Sequence, residues 1–259
     1  VTGCGVSNTI GALLALCIPS IFYKIDHSEK WILYEILAFA VVATIVLTFS
    51  RTALAVAVVF FVILTVRTFI NAKDKKKRKI FLYITCGVVA AIIIAGIVLV
   101  AVKPNIFELF LPKSLVMWDR FELWNIGFEM FKESPVFGVG YAYPTSNEYL
   151  MTYFQAAKSM YRALLHNFLV QSLASSGIVG TLGLIVAIAW IMKTLIKEKY
   201  EGKFYILCFI FGFIVVTLFD IMYGVPYYVM FLILMIVIAE KSIKSGKKAA
   251  AKNELCAAE

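Results

Sequence analysis

The sequence predicts an all-α polytopic membrane protein, and its composition is the first reason. Of the 259 residues, 62% are hydrophobic and 16% are charged, and the mean hydropathy is +0.89. Soluble domains average about 45–50% apolar and about 25% charged residues. The composition therefore excludes both an ordinary soluble domain and a disordered chain.

Seven apolar segments are the second reason, because about 20 mainly apolar residues are needed to cross a bilayer as a helix. The seven predicted spans are 9–23, 31–49, 52–70, 80–102, 167–192, 204–219 and 225–239. They divide the chain into four spans (1–102), a large extracytoplasmic loop (103–166), three spans (167–239) and a cytoplasmic basic tail (240–259). The chain starts at Val1 and enters an apolar segment almost at once, so we expect it to be the C-terminal part of a longer protein.

The positive charges predict which loops are cytoplasmic. Residues 73–79 hold six Lys and Arg, and alternation then places 24–30, 193–203 and 240–259 on the same side. These segments hold 17 basic residues, against 7 on the opposite side. Lys and Arg concentrate on the cytoplasmic side of membrane proteins. Most of the formal net charge of +9 is therefore interpreted as topology, and no nucleic-acid partner is expected.

The outer loop of about 64 residues is long enough to have a function of its own. A helical period between 114 and 133 places five apolar residues on one face, namely Met117, Phe121, Trp124, Phe128 and Phe131. We expect this amphipathic helix to pack along the outer membrane surface or on the bundle, and to end at Pro135. Gly138 and Gly140 allow a tight turn but do not complete a dinucleotide motif.

Two residues at the outer membrane surface could carry chemistry. His166 ends the loop as the fifth span begins, and a histidine can act as a general base near neutral pH. The alternative is a histidine anchored at the interface by hydrogen bonds. Arg51 lies between the second and third spans, where a guanidinium can bind phosphate oxygens or can snorkel to the interface.

Three further residues are candidates for binding substrate. Arg162 and Asn167 lie close to His166 in the chain. Asp220 lies at the outer end of the sixth span, where it could pair with an arginine, help to hold an acceptor, or be a solvated cap. The five cysteines form no CxxC pair and only two histidines occur, so no metal site is expected. The glycines Gly177, Gly180 and Gly183 are interpreted as helix-packing residues.

Three motifs occur in a particular order along the chain. The first is Leu47-Thr48-Phe49-Ser50-Arg51-Thr52-Ala53-Leu54. The second is Arg120-x3-Trp124-x6-Phe131-x3-Pro135-x2-Gly138-x-Gly140-Tyr141. The third is His166-Asn167-x-Leu169-x-Gln171-x-Leu173-x3-Gly177-x2-Gly180. In this order and spacing they resemble the O-antigen ligase and Wzy-type polysaccharide polymerase family.

The resemblance implies a GT-C-like glycosyltransferase of the bacterial cytoplasmic (inner) membrane, with its site on the extracytoplasmic face. Its donor would be a glycan on undecaprenyl pyrophosphate, transferred to a hydroxyl of an acceptor glycan without metal or other cofactor. By this resemblance Arg51 would bind the pyrophosphate, Arg120 would add positive charge, and His166 would be the base or would orient the acceptor. The resemblance does not distinguish a polymerase from a ligase, since the two activities differ only in the acceptor.

A non-enzymatic transporter or flippase of lipid-linked glycans is the main alternative, and a structural scaffold is a third. Transporters usually place ionisable groups near the middle of the bilayer, often at broken helices. The middle of each predicted span here is almost free of charge. The sequence therefore favours chemistry at the membrane surface.

Overall fold

The computed structural model describes residues 7–102, 116–140, 165–219 and 226–258, and the regular structure within these ranges is entirely helical. The helices are α1 (Ser7–His27), α2 (Trp31–Leu47), α3 (Arg51–Asn71), α4 (Lys75–Val102), α5 (Val116–Glu133), α6 (Phe168–Lys197), α7 (Lys203–Phe219) and α8 (Pro226–Ala258). Each of the seven predicted segments coincides with one helix, and α5 is the predicted loop helix. The all-α prediction is confirmed.

Three of the described helices are long and apolar enough to cross a membrane. They are Asn8–His27, Arg51–Asn71 and Phe168–Lys197, while α2 and α7 are apolar but only 17 residues long each. Large apolar side chains on these helices are exposed, including Leu33, Val66 and Trp190. Such exposure suits a surface that faces lipid. A count of seven spans remains a prediction.

The chain divides into two compact units, Val1–Val116 and Met117–Glu259. In the first unit, α1 packs against α2 and α3. Alanines without exposed surface lie in this core, which lets the helix backbones approach closely: Ala15, Ala38, Ala53 and Ala57. A hydrogen bond links α4 to α2, because the Thr85 hydroxyl donates to Oε1 of the buried Glu35 at 3.0 Å.

In the second unit, α7 packs against both α6 and α8. The helix α8 continues without a break into the basic tail predicted from residue 240. There Lys247 Nζ lies 2.9 Å from Glu198 Oε1, in the connection between α6 and α7. This ion pair joins the tail helix to that connection.

Candidate functional site

The three residues 165–167, which we call the His166 corner, connect directly to the start of α6. His166 has φ of +50°, in the left-handed region, where the Cβ of an ordinary residue costs roughly 1–2 kcal/mol. Such a conformation persists only where the surroundings hold it, and it is frequent at functional sites. The side chain of His166 is half-buried, and the preceding Leu165 has no exposed surface.

Hydrogen bonds hold the backbone on both sides of His166. On one side, Asn167 caps α6, because its Oδ1 accepts from the backbone N–H groups of Leu169 at 2.9 Å and Val170 at 3.1 Å. On the other side, the Leu165 N–H donates to Oε1 of Gln171 at 3.1 Å. Gln171 is 3% exposed. Asn167 therefore has a structural task, and its predicted contact with substrate stays a prediction.

The loop helix α5 packs against the His166 corner with the face that includes Gly127. Its buried residues are Leu123, Gly127 and Met130, and Leu123 and Met130 form a cluster with Leu165, Val170 and Ala174. In contrast, Phe121 and Phe128 of the predicted apolar stripe are 45% and 44% exposed. Trp124 of the stripe packs against this cluster, and the small Gly127 lets α5 approach Leu165 and Val170 closely. The predicted position of the stripe, along the outer membrane surface or on the bundle, stays a prediction.

Helix α6 is interrupted at Gly177, where φ is 62° and ψ is −165°. The interruption frees two carbonyls and two N–H groups that would otherwise pair within the helix. All four bind the turn 135–140 instead: Val139 N–H to Ala174 O at 2.9 Å, Gly140 N–H to Ser175 O at 3.0 Å, Ile178 N–H to Pro135 O at 2.9 Å and Val179 N–H to Val136 O at 3.2 Å. We call this arrangement the glycine interlock.

Two glycines make the glycine interlock possible. A Cβ at Gly177 would lie 2.4 Å from the Val136 carbonyl oxygen, and one at Gly138 would lie 2.4 Å from the Ser175 backbone. Both residues also have positive φ, so glycine is favoured at each for two reasons. The predicted turn at Gly138 is confirmed. The interpretation of Gly177 as an ordinary helix-packing glycine was wrong, since it breaks the helix.

An apolar cavity of about 400 Å³ lies among α6, α7 and α8. Its wall includes Phe168 and Gln171 from the start of α6, and Thr217 from α7. Gln171 thus lies between this cavity and the Leu165 backbone.

The other candidate lies in the first unit, at residues 48–51, which we call the Arg51 corner. Arg51 is the first residue of α3 and its side chain is exposed. Ser50 caps the helix by accepting from the Ala53 N–H at 3.4 Å, and Thr48 accepts from the Ser50 N–H at 3.3 Å. Phe49 has φ of +54°. Within the described ranges, Phe49 and His166 are the non-glycine residues with positive φ.

Three of the predicted site residues lie wholly or partly outside the described part of the chain. Arg162 and Asp220 lie outside the described residues, and Arg120 lies on α5 with its side chain outside them. In the part of the chain that is described, no three His, Cys, Asp or Glu side chains lie close enough together to hold a metal ion.

The fold is that of a helical membrane protein in which α5 and the turn 135–140 pack on the long helix α6. A comparison with protein families matches residues 36–185 to the model described as O-antigen ligase. That match covers more than half of the chain, so the chain belongs to the O-antigen ligase family. It therefore has a membrane function of the O-antigen ligase or polymerase type. A search of curated proteins found no match.

Proposed function

We propose that this chain is a membrane glycosyltransferase that moves an oligosaccharide from undecaprenyl pyrophosphate to a hydroxyl of an acceptor glycan. The observation that carries the proposal is the His166 corner. Within the family match, a left-handed histidine is held by a buried cluster and by hydrogen bonds on both sides. Backbone strain of this kind clusters at functional sites.

His166 would act on the acceptor. The acceptor hydroxyl oxygen attacks the anomeric carbon of the donor sugar and forms the new glycosidic bond. The bond from that carbon to the pyrophosphate oxygen breaks, and the pyrophosphate leaves with the electron pair. The hydroxyl proton goes to the imidazole of His166 if His166 is the base, and to water if His166 only orients the hydroxyl.

Arg51 would bind the donor pyrophosphate. A cation at the N-terminus of a helix is unfavourable by about 0.3–1 kcal/mol, so helix stability does not explain arginine as the first residue of α3. An exposed guanidinium there suits phosphate oxygens. Negative charge grows on the leaving pyrophosphate, and fixed positive groups stabilise it.

Further parts of the proposal rest on the family resemblance. Arg120 would add positive charge, and Arg162, Asn167 and Asp220 would contact donor or acceptor. The protein would lie in the bacterial inner membrane with a GT-C-like architecture and its site on the outer face. It would use no metal or other cofactor. Polymerase and ligase are both consistent with these features.

The transporter alternative gains one observation, the interrupted helix α6, because transporters often bind ions at such interruptions. In this chain, however, the two carbonyls and two N–H groups freed around Gly177 are bound by the turn 135–140. These four groups are therefore not available for an ion. This pairing favours the glycosyltransferase.

Cells that lack the native gene and express this protein provide the test. His166→Ala should lower long-chain glycan at least about 100-fold at equal protein level, since general-base catalysis contributes 10²–10⁴-fold. Arg51→Ala should cause a comparable loss, since a single stabilising donor contributes about 10²–10³-fold. His27→Ala replaces the other histidine of the sequence and should have no effect.

The lipid-linked glycans of the same cells distinguish the alternatives. An inactive transferase leaves single donor units on the outer leaflet, where an added glycosidase can reach them. An inactive flippase leaves them on the cytoplasmic leaflet. Normal glycan from both His166→Ala and Arg51→Ala would contradict the site, and protected donor would contradict the transferase.

A further inference from the structure

The side chain of Gln171 is the least expected part of the His166 corner. It is 3% exposed and lies on the first turns of α6, yet its Oε1 reaches back to the N–H of Leu165 at 3.1 Å. A buried polar side chain is retained where it makes a specific hydrogen bond. This bond closes a loop of chain from Leu165 to Gln171, and the loop contains His166 and Asn167.

The loop constrains His166 from both ends. Asn167 is held to α6 by its two capping hydrogen bonds, and Leu165 is held by Gln171 and by the buried cluster. The left-handed φ of His166 is intrinsically unfavourable, so the ring direction depends on these anchors. Asn167 stabilises the N-terminus of α6, and the cluster stabilises the packing of α5 on α6. The Gln171 bond acts on the residue directly before His166.

We infer that Gln171 is a positioning residue, which sets the direction of the His166 imidazole through the Leu165 backbone. The inference rests on the proposed function for its catalytic consequence. Its structural part, that Gln171 controls the His166 ring, can be measured without any assay of activity.

The histidine content of the chain makes the direct measurement possible. His27 and His166 are the two histidines, so a His27→Gln protein labelled with ¹⁵N-histidine reports His166 alone by NMR. In this background, Gln171→Met keeps the length of the side chain but removes the acceptor. It should shift or broaden the His166 ring resonances. Gln171→Glu keeps an oxygen acceptor for the Leu165 N–H and should move the resonances back towards the parent spectrum.

Thr217→Val is the matched control. Thr217 is buried, lines the same cavity as Gln171 and donates locally to Ile214 O at 2.9 Å. Its replacement removes a buried hydroxyl without touching residues 165–167, so the His166 resonances should stay unchanged. If Gln171→Met prevents folding, Gln171→Asn, which withdraws the acceptor by one methylene, takes its place. If the folded variant, Gln171→Met or Gln171→Asn, gives a His166 spectrum identical to that of the parent, the inference is overturned.

A double-mutant cycle connects the ring to catalysis. The full chain in detergent is supplied with a polyprenyl-pyrophosphate-linked repeat extracted from the producing cells. Gln171→Met should lower kcat at least tenfold with little change in donor KM, and should cause no further loss in a His166→Ala protein. Independent, multiplicative losses would overturn the positioning role. Full activity of His166→Ala itself would instead contradict the proposed function and leave the NMR result to decide the inference.

Discussion

The Arg51 corner and the His166 corner each hold a non-glycine residue at positive φ, but with different contacts. Each precedes or begins a long helix, and each contains a non-glycine residue with positive φ, Phe49 in one and His166 in the other. At the Arg51 corner the side-chain hydrogen bonds of Thr48 and Ser50 join neighbours in the chain, and Gly11 of α1 packs against the same two side chains. The His166 corner combines its own cap with distant parts of the chain, through α5 and the glycine interlock.

The difference shows where the stability of each corner originates. The hydrogen bonds of the Arg51 corner form with its own helix, whereas the packing of this corner depends on α1. A corner held by distant segments depends on all of them at once. Substitutions far from His166 in sequence should therefore affect its hydrogen-bonded backbone, whereas distant substitutions should affect the Arg51 corner through its packing against α1, as at Gly11.

The largest expected effect is that of Gly177→Ala in the glycine interlock. The new Cβ would lie 2.4 Å from the Val136 carbonyl oxygen, at a residue with φ of 62°. Strain and overpacking together should lower the free energy of unfolding by about 2–5 kcal/mol. Thermal unfolding of the purified protein, or titration with a denaturing detergent, measures the loss.

Gly183→Ala is the control on the same helix, because no heavy atom lies within 4 Å of its Cβ position. An alanine there should leave stability equal or slightly higher, since alanine favours a helix by up to about 1 kcal/mol over glycine. Equal losses from the two variants would mean that Gly177 is a packing glycine like its neighbours and that α6 is not interrupted.

The second effect concerns which face of α5 supports His166. Met130 is 2% exposed and lies in the cluster with Leu165, so Met130→Ala should cost about 2–5 kcal/mol of unfolding free energy. Phe128 is 44% exposed, and Phe128→Ala should cost less than about 1 kcal/mol by the usual range for exposed positions. A larger loss from Phe128→Ala than from Met130→Ala, by the same unfolding measurement, would contradict the larger role of the Met130 face.

These two cases show how far the sequence could predict this molecule. Apolar runs of bilayer length predicted each long helix, and Pro135 with the two glycines predicted the turn, because these signals are local. The close approach of Gly127 to Leu165 and Val170 was not predicted, since hydrophobic periodicity ranks Phe121 above Gly127 while close approach needs the glycine. The contact of Gln171 with Leu165 was missed as well, because a hydrogen bond to the backbone leaves no pattern in the side chains.

The smallest expected effect compares the two helix caps. Asn167 accepts two hydrogen bonds, at 2.9 and 3.1 Å, whereas Ser50 accepts one at 3.4 Å. Removal of a cap costs about 0.5–2 kcal/mol, so Asn167→Ala should lie towards the upper part of this range and Ser50→Ala towards the lower part. Unfolding measurements on the two variants rank the caps, and a larger loss from Ser50→Ala would contradict the ranking.

The variant Asn167→Asp distinguishes two roles of Asn167, the helix cap and the predicted contact with substrate. A carboxylate keeps the accepting oxygen and is favoured at a helix N-terminus, so stability should be retained. The substitution removes the amide N–H₂ group, which is a donor that a sugar or phosphate oxygen could use. If Asn167 is only a cap, glycan transfer by Asn167→Asp should equal that of the parent. A several-fold rise in KM for donor or acceptor, with unfolding unchanged, would show that the same side chain also binds substrate.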